Sequence, residues 1–116
     1  MGVGYERLEV WQKGMDLAVE VYGLTRGLPA DERFSLADQM RRCAVSIPSN
    51  IAEGAARASK KEFVQYRYIA LGSASELDTQ IQIAQRVGYL QDITIFRQDI
   101  LVVKKMINAL ITSLKK

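Results

Sequence analysis

The segment from Gln39 to Glu62, QMRRCAVSIPSNIAEGAARASKKE, restricts the fold of this chain more than any other. Met40, Cys43, Ala44, Ile47 and Ile51 recur at helical spacing, with Pro48 set among them. A proline inside a helix removes one backbone hydrogen bond and crowds the residue one turn back, here Ala44. The pattern therefore predicts a helix that bends at Pro48 and stops at Gly54. Ser59 and Glu62 have the S-x-x-E spacing of a capping box, so a further helix starts just after Ser59. The segment reads as a helical hairpin.

Three more stripes complete the pattern. Leu8, Trp11, Met15, Ala18 and Tyr22 step by three and four along a first helix from about Arg7 to Arg26. Gly27 and Pro29 close it, and Ser35 is placed to cap the second helix, with Asp38 in its first turn. In the third helix Phe63, Tyr66, Ala70, Ser73, Leu77, Ile81 and Ala84 follow the period with one irregular step, and Gly88 suits its end. Asp92 caps the fourth, where Ile93, Phe96, Ile100, Val103, Ile107, Leu110 and Leu114 keep a heptad. No stretch alternates as a half-buried strand does. Short links favour antiparallel neighbours. The expected fold is all-α: an antiparallel up-down-up-down four-helix bundle, bent at the proline of helix two, in a single domain over residues 1–116.

Composition narrows function mainly by exclusion. With no histidine and one cysteine, the chain holds neither a Ser–His or Cys–His pair nor a Cys/His zinc site. Cys43 lies on the apolar face of helix two and reads as a small core residue. Gly54, Gly72 and Gly88 stand alone, so there is no glycine-rich phosphate loop. A carboxylate metal site in a bundle usually calls for Glu-x-x-His motifs, which are missing. No catalytic residue, metal ligand or cofactor is expected. The apolar runs fall short of the roughly 20 residues that span a bilayer, and the N-terminus lacks the look of a signal peptide. The expected location is cytoplasmic.

Two further apolar stripes exceed what one core needs. Val10, Leu17, Val21 and Leu24 lie roughly 130° from the Trp11–Tyr22 line, at about 100° per residue. Ile95, Val102 and Met106, with Ala109, stand about 120° off the core line of the fourth helix by the same geometry. Exposed apolar stripes mark interaction surfaces, so both are expected at an oligomer interface. Arg42, Asn50, Ser73 and Glu76, with Ser46, are expected to form a polar network between helices two and three. A hairpin turning near residue 57 places Arg42 across from Ser73 and near Glu76.

The net charge of +3 is modest, but its distribution is uneven. Residues 1–38 carry four basic and seven acidic side chains, whereas residues 39–67 carry six basic and two acidic ones. Up-down topology gathers Arg7, Arg57, Lys60, Lys61, Lys115 and Lys116 at one pole, against Glu6, Glu9, Glu53 and Glu62. Such a pole can contact phosphates. No aromatic RNP pattern or KH-type loop offers base-specific readout.

With LEVWQKGMDLA, LADQMRRCAVSIPSNIAEGAAR and GSASELDTQIQIAQRVGYL in view, the chain resembles the 23S ribosomal RNA intervening-sequence proteins. The resemblance covers nearly the whole domain. It implies a four-helix bundle that assembles as a homopentamer, encoded within bacterial large-subunit rRNA genes or elsewhere in bacterial genomes. A related branch, the accessory variability proteins of diversity-generating retroelements, works with a reverse transcriptase and nucleic acid. The resemblance brings no catalytic residue. The expected function is thus a non-enzymatic homo-oligomer that binds nucleic acid, RNA before DNA, through a basic surface, with a nucleic-acid enzyme such as a reverse transcriptase as a further partner. The competing reading is a protein-interaction adaptor without nucleic acid.

Overall fold

The computed structural model describes residues 4–115, with side chains described through residue 113. A 3₁₀ turn, Gly4–Arg7, leads into α1 (Glu9–Thr25), and a second such turn, Ala30–Glu32, leads into α2 (Leu36–Ala55). The helices α3 (Lys60–Arg86) and α4 (Thr94–Lys115) complete the chain. The long dimension of 44 Å matches one 27-residue helix, about 40 Å at 1.5 Å per residue, so the helices lie side by side. Each helix packs on its chain neighbours, and α1 also meets α4. Antiparallel pairing shows in the contacts. Gly14 meets Ile47 and Pro48 while Thr25 meets Arg41, and likewise Gly54 meets Tyr66 while Ser46 meets Ser73. Among the described residues the protein is an all-helical four-helix bundle.

Local chemistry explains the element ends. Ser59 accepts the Glu62 amide at 3.2 Å, as the capping spacing predicts. Asp92 Oδ1 accepts the Thr94 amide at 2.9 Å and starts α4. At the end of α3, the Tyr89 amide reaches back to the Ala84 carbonyl and the Gly88 amide to Gln85. That pairing is a Schellman closure, and it needs Gly88 at φ +92°. The Ser35 expectation is corrected: its hydroxyl does not cap α2. It donates to Glu32 Oε1 at 2.6 Å, and the same oxygen accepts the Leu36 amide at 3.4 Å. Glu32 also accepts the Tyr89 hydroxyl at 2.8 Å, so one carboxylate ties the α1–α2 link to the α3–α4 link. The Ser35 bond and then the Tyr89 bond hold it below the usual carboxylate range.

Gly54 is a second correction. α2 continues past it to Ala55, so it is not a terminator. A Cβ there would lie 2.9 Å from Tyr66 Cβ and 3.2 Å from the Phe63 carbonyl oxygen. The glycine is needed because α3 crosses at that point.

The core contains the expected residues of α2, with Met40, Ala44, Ile47 and Ile51 fully buried, Ile93 just before α4, and Ile100, Val103 and Ile107 of α4. The expected faces of α1 are largely exchanged, although Ala18 of the expected core line is buried and Leu8 packs against the core. Val10, Leu17 and Val21 are buried inside the single chain, Val21 at 0%, and Leu24 packs on them. They are core residues and not an exposed interface. Trp11 is only partly buried, and Met15 and Tyr22 are exposed. The buried line runs through Gly14, which packs against Ile47 and Pro48.

Candidate functional site

Four surfaces could carry function, and the exchange of α1 faces creates the first. Met15, Val19 and Tyr22 from α1 stand beside Val45 and Ala52 of α2, around an apolar groove of about 340 Å³. Val19 is 69% exposed. Trp11 closes one end by meeting Tyr5 edge-to-face at 5.4 Å. Tyr22 carries the Arg41 guanidinium 5.0 Å above its ring, and Arg41 Nε donates to Thr25 Oγ1 at 2.8 Å. On α4, Ile95 and Val102 are 73% and 46% exposed, as expected of interface positions. Met106 is partly buried against the core instead.

The second surface is the polar seam between α2 and α3. Ser46 and Ser73 share a hydrogen bond of 2.8 Å, and Asn50 Nδ2 donates to Ser46 Oγ at 2.9 Å and to its carbonyl at 2.7 Å. Arg42 is not part of it. Its side chain is 79% exposed and pairs with Asp38 on its own helix at 2.9 Å. Ser46 faces Ser73 and Gly54 faces Tyr66, so the hairpin turns close to Ser59 and not near residue 57. The register shifts by one helical turn, and Ser46 takes the place expected for Arg42. Glu76 lies beside Cys43 and accepts weakly from Gln80 at 3.4 Å. Burial, reinforced by Glu76, pushes the Cys43 thiol up to about 12, so it stays protonated and unreactive.

The third surface is the α2–α3 turn. Lys60 and Lys61 are both exposed, and no ion pair among the described residues involves either. Arg57 is already engaged: it donates to Glu53 at 3.0 Å and to the Tyr66 hydroxyl at 2.7 Å, with its guanidinium over that ring. Lys116 and the Lys115 side chain lie outside the described residues. The fourth surface, between α1 and α4, is acidic. Burial, then the charge and hydrogen bond of Asp99, then Asp16, raise the Glu20 carboxyl. The surface charge is therefore divided, with acids along α1–α4 and free lysines at the α2–α3 turn.

One buried group was not singled out by sequence. Arg67 is 0% exposed in α3, and its three guanidinium nitrogens have no hydrogen-bond partner among the described residues. It lies 3.9 Å over the Phe63 ring, and burial lowers its pKa to about 10. The third stripe carries no signal for it, since its irregular step falls between Leu77 and Ile81, and the buried line of α3 instead runs through Arg67, Ala70, Ala74 and Leu77.

The family of 23S rRNA-intervening sequence proteins matches residues 6–109 of the chain. The chain belongs to that family. A similar fold occurs in a 1.70 Å crystal structure of a protein of unknown function from the S23 ribosomal protein family of Bacteroides thetaiotaomicron VPI-5482. The two share 24% identity over 89% of this chain and 95% of the other, with a TM-score of 0.81. At that identity the likeness speaks for the fold alone. None of the curated proteins matches. No helix among the described residues is long and apolar enough to cross a membrane.

Proposed function

We propose that this chain is a non-catalytic, self-assembling bundle that binds RNA through its basic surface. The observation that carries the reading is the exposed Lys60–Lys61 pair at the α2–α3 turn, free of acidic partners among the described residues. The acidic α1–α4 face would turn away from a polyanion. The family name, which refers to the 23S rRNA intervening sequence, supports RNA over DNA.

Assembly uses the surface left apolar by the folded chain. In this reading the Met15–Val19–Tyr22 strip of one copy covers Ile95 and Val102 of the next, two different faces as a ring requires. Five copies is the number that the family resemblance implies. A closed ring repeats the lysine pair around its axis and multiplies a field that one copy supplies weakly. A nucleic-acid enzyme such as a reverse transcriptase is a compatible further partner, and the cytoplasm is the compartment that fits these partners.

Charge reversal tests the RNA contact. Lys60→Glu with Lys61→Glu should weaken binding of unrelated RNAs to a similar extent. It should also lower the salt slope by about one unit for each phosphate no longer held. The fold should remain, because neither side chain is buried. A gel-shift titration at several salt concentrations reads both effects. If the double variant binds as tightly as the parent, the lysines serve solubility and the adaptor reading takes over.

Assembly has its own test. Met15→Glu with Val19→Glu should yield a folded monomer, seen by light scattering with unchanged circular dichroism. A wild type that is already monomeric at micromolar concentration would contradict the assembly.

A further inference from the structure

Between α3 and α4, beside the link that joins them, lies a groove of about 570 Å³. That size falls within the roughly 300–1,000 Å³ of small-ligand sites. Its lining carries three cations, Arg86, Arg97 and Lys104, against a single carboxylate, Asp78. Asp78 is fully used. It takes Arg97 Nε at 2.8 Å and Arg97 Nη2 at 3.2 Å, and it accepts the Gln82 amide at 3.1 Å. Arg86 and Lys104 have no ion pair or hydrogen bond among the described residues, although the Lys104 charge also acts on Asp78 from a distance. The groove therefore holds two positive charges in excess.

The rest of the lining is not that of a bare charge patch. Ile93, Ile100 and Leu101 give it an apolar wall. The amide nitrogens of Gln82 and Gln85 each spend one N–H, on Asp78 and on the Gln91 carbonyl at 2.8 Å, so each side chain keeps its oxygen as an acceptor and a second N–H as a donor. A ligand that satisfies this set is a dianion at one end, with a flat body that both donates and accepts hydrogen bonds at the other. A phosphomonoester carries about −1.5 to −2 at neutral pH, against −1 for an internal phosphodiester.

We propose that the α3–α4 groove binds the phosphomonoester of a nucleoside. Arg86 and Lys104 take the phosphate, the aliphatic wall supports the ring, and the glutamine oxygens accept from the base. Arg97, clamped by Asp78, adds charge without moving. The site shares no residue with the Lys60–Lys61 turn, so it stands or falls separately from the RNA contact proposed above. The same chemistry is offered by a free nucleotide and by the 5′-phosphate end of a strand.

Calorimetric titration of the full chain with AMP, adenosine and inorganic phosphate tests the site. AMP should bind at millimolar concentration or below, adenosine should not, and inorganic phosphate should bind more weakly than AMP. Arg86→Gln and Lys104→Gln should each weaken AMP binding about tenfold or more, the factor expected of one charge-assisted hydrogen bond. Circular dichroism should be unchanged, since neither side chain is buried in the core. Lys60→Glu with Lys61→Glu should leave AMP binding as it is. Competition by one oligonucleotide in 5′-phosphate and 5′-hydroxyl forms identifies the source. Displacement of AMP by the phosphorylated form alone assigns a strand end, and displacement by neither assigns a free nucleotide. Absence of AMP binding at millimolar concentration, or unchanged affinity in both variants, would overturn the site. Inorganic phosphate binding as tightly as AMP would overturn the nucleoside part.

Discussion

Replacing Arg67 by methionine should stabilise the protein, by about 1–4 kcal/mol if this site behaves like other buried charges exchanged for apolar side chains. Arg67 is fully buried in α3 and none of its guanidinium nitrogens finds an acceptor among the described residues. The Phe63 ring at 3.9 Å offsets part of the desolvation cost but supplies no hydrogen bond. Methionine fills a similar volume, adapts its shape and needs no partner. The measurement is the urea midpoint of the two proteins at equal m-value. The sign of the pH dependence follows from the depressed value. The folded arginine loses its proton near 10, well before the unfolded one, so above about pH 10 the unfolded chain binds more protons. The wild type then gains stability relative to the variant, and the advantage of methionine shrinks. A variant less stable than the wild type at neutral pH would mean that the guanidinium does have a strong partner.

Gly54→Leu should have the opposite sign and a comparable or larger size. Its first side-chain carbon alone would stand 2.9 Å from Tyr66 Cβ, 3.1 Å from Phe63 Cδ1 and 3.2 Å from the Phe63 carbonyl oxygen. Two of those neighbours are fixed by the α3 backbone, so relief requires the helices to part. Overpacking of this kind costs about 1–3 kcal/mol and occasionally more. Gly72 makes a suitable control, because a Cβ there meets nothing within 4 Å. Gly72→Ala should gain a few tenths to about 1 kcal/mol through helix propensity. Thermal melts of both variants give the comparison, and equal melting temperatures would remove the close-crossing explanation.

These two positions also show why some of the structure is hidden in the sequence. Helix number, helix ends and most core residues follow from local signals: period, capping spacing and the left-handed glycine at Gly88. What local signals do not carry is which neighbour a helix meets and at what depth. α1 has two apolar stripes of similar strength, and the one that is buried passes through Gly14, which packs on Ile47 and Pro48 of α2. A residue without a side chain adds nothing to a hydrophobic pattern, so the stripe that contains it looks weaker than it is. Gly54 reads as a helix end for the same reason, when its role is to make room.

Register across the α2–α3 hairpin depends on the length of its turn. A shift of one helical turn takes Arg42 from a paired interior position to solvent and puts Ser46 in its place. The chemistry of the seam was legible nonetheless, since Asn50 and Ser73 do meet through Ser46. At the basic pole the lysines of the α2–α3 turn are exposed as their polarity implies. The commitment of Arg57 to Glu53 and Tyr66 is a tertiary fact that composition does not contain. The α3–α4 groove is invisible in the sequence because Arg86, Arg97 and Lys104 are spread over two helices and form no run.

The central claim joins assembly to RNA binding, and sedimentation velocity of a fluorescent RNA with the wild-type protein tests both at once. At low salt the account expects the RNA to travel with a closed oligomer of defined mass. Added salt should release the RNA, because phosphate contacts weaken steeply, and should leave the oligomer whole, because its apolar contacts do not. RNA that sediments free at low salt, or protein that sediments as a monomer throughout, would contradict the account.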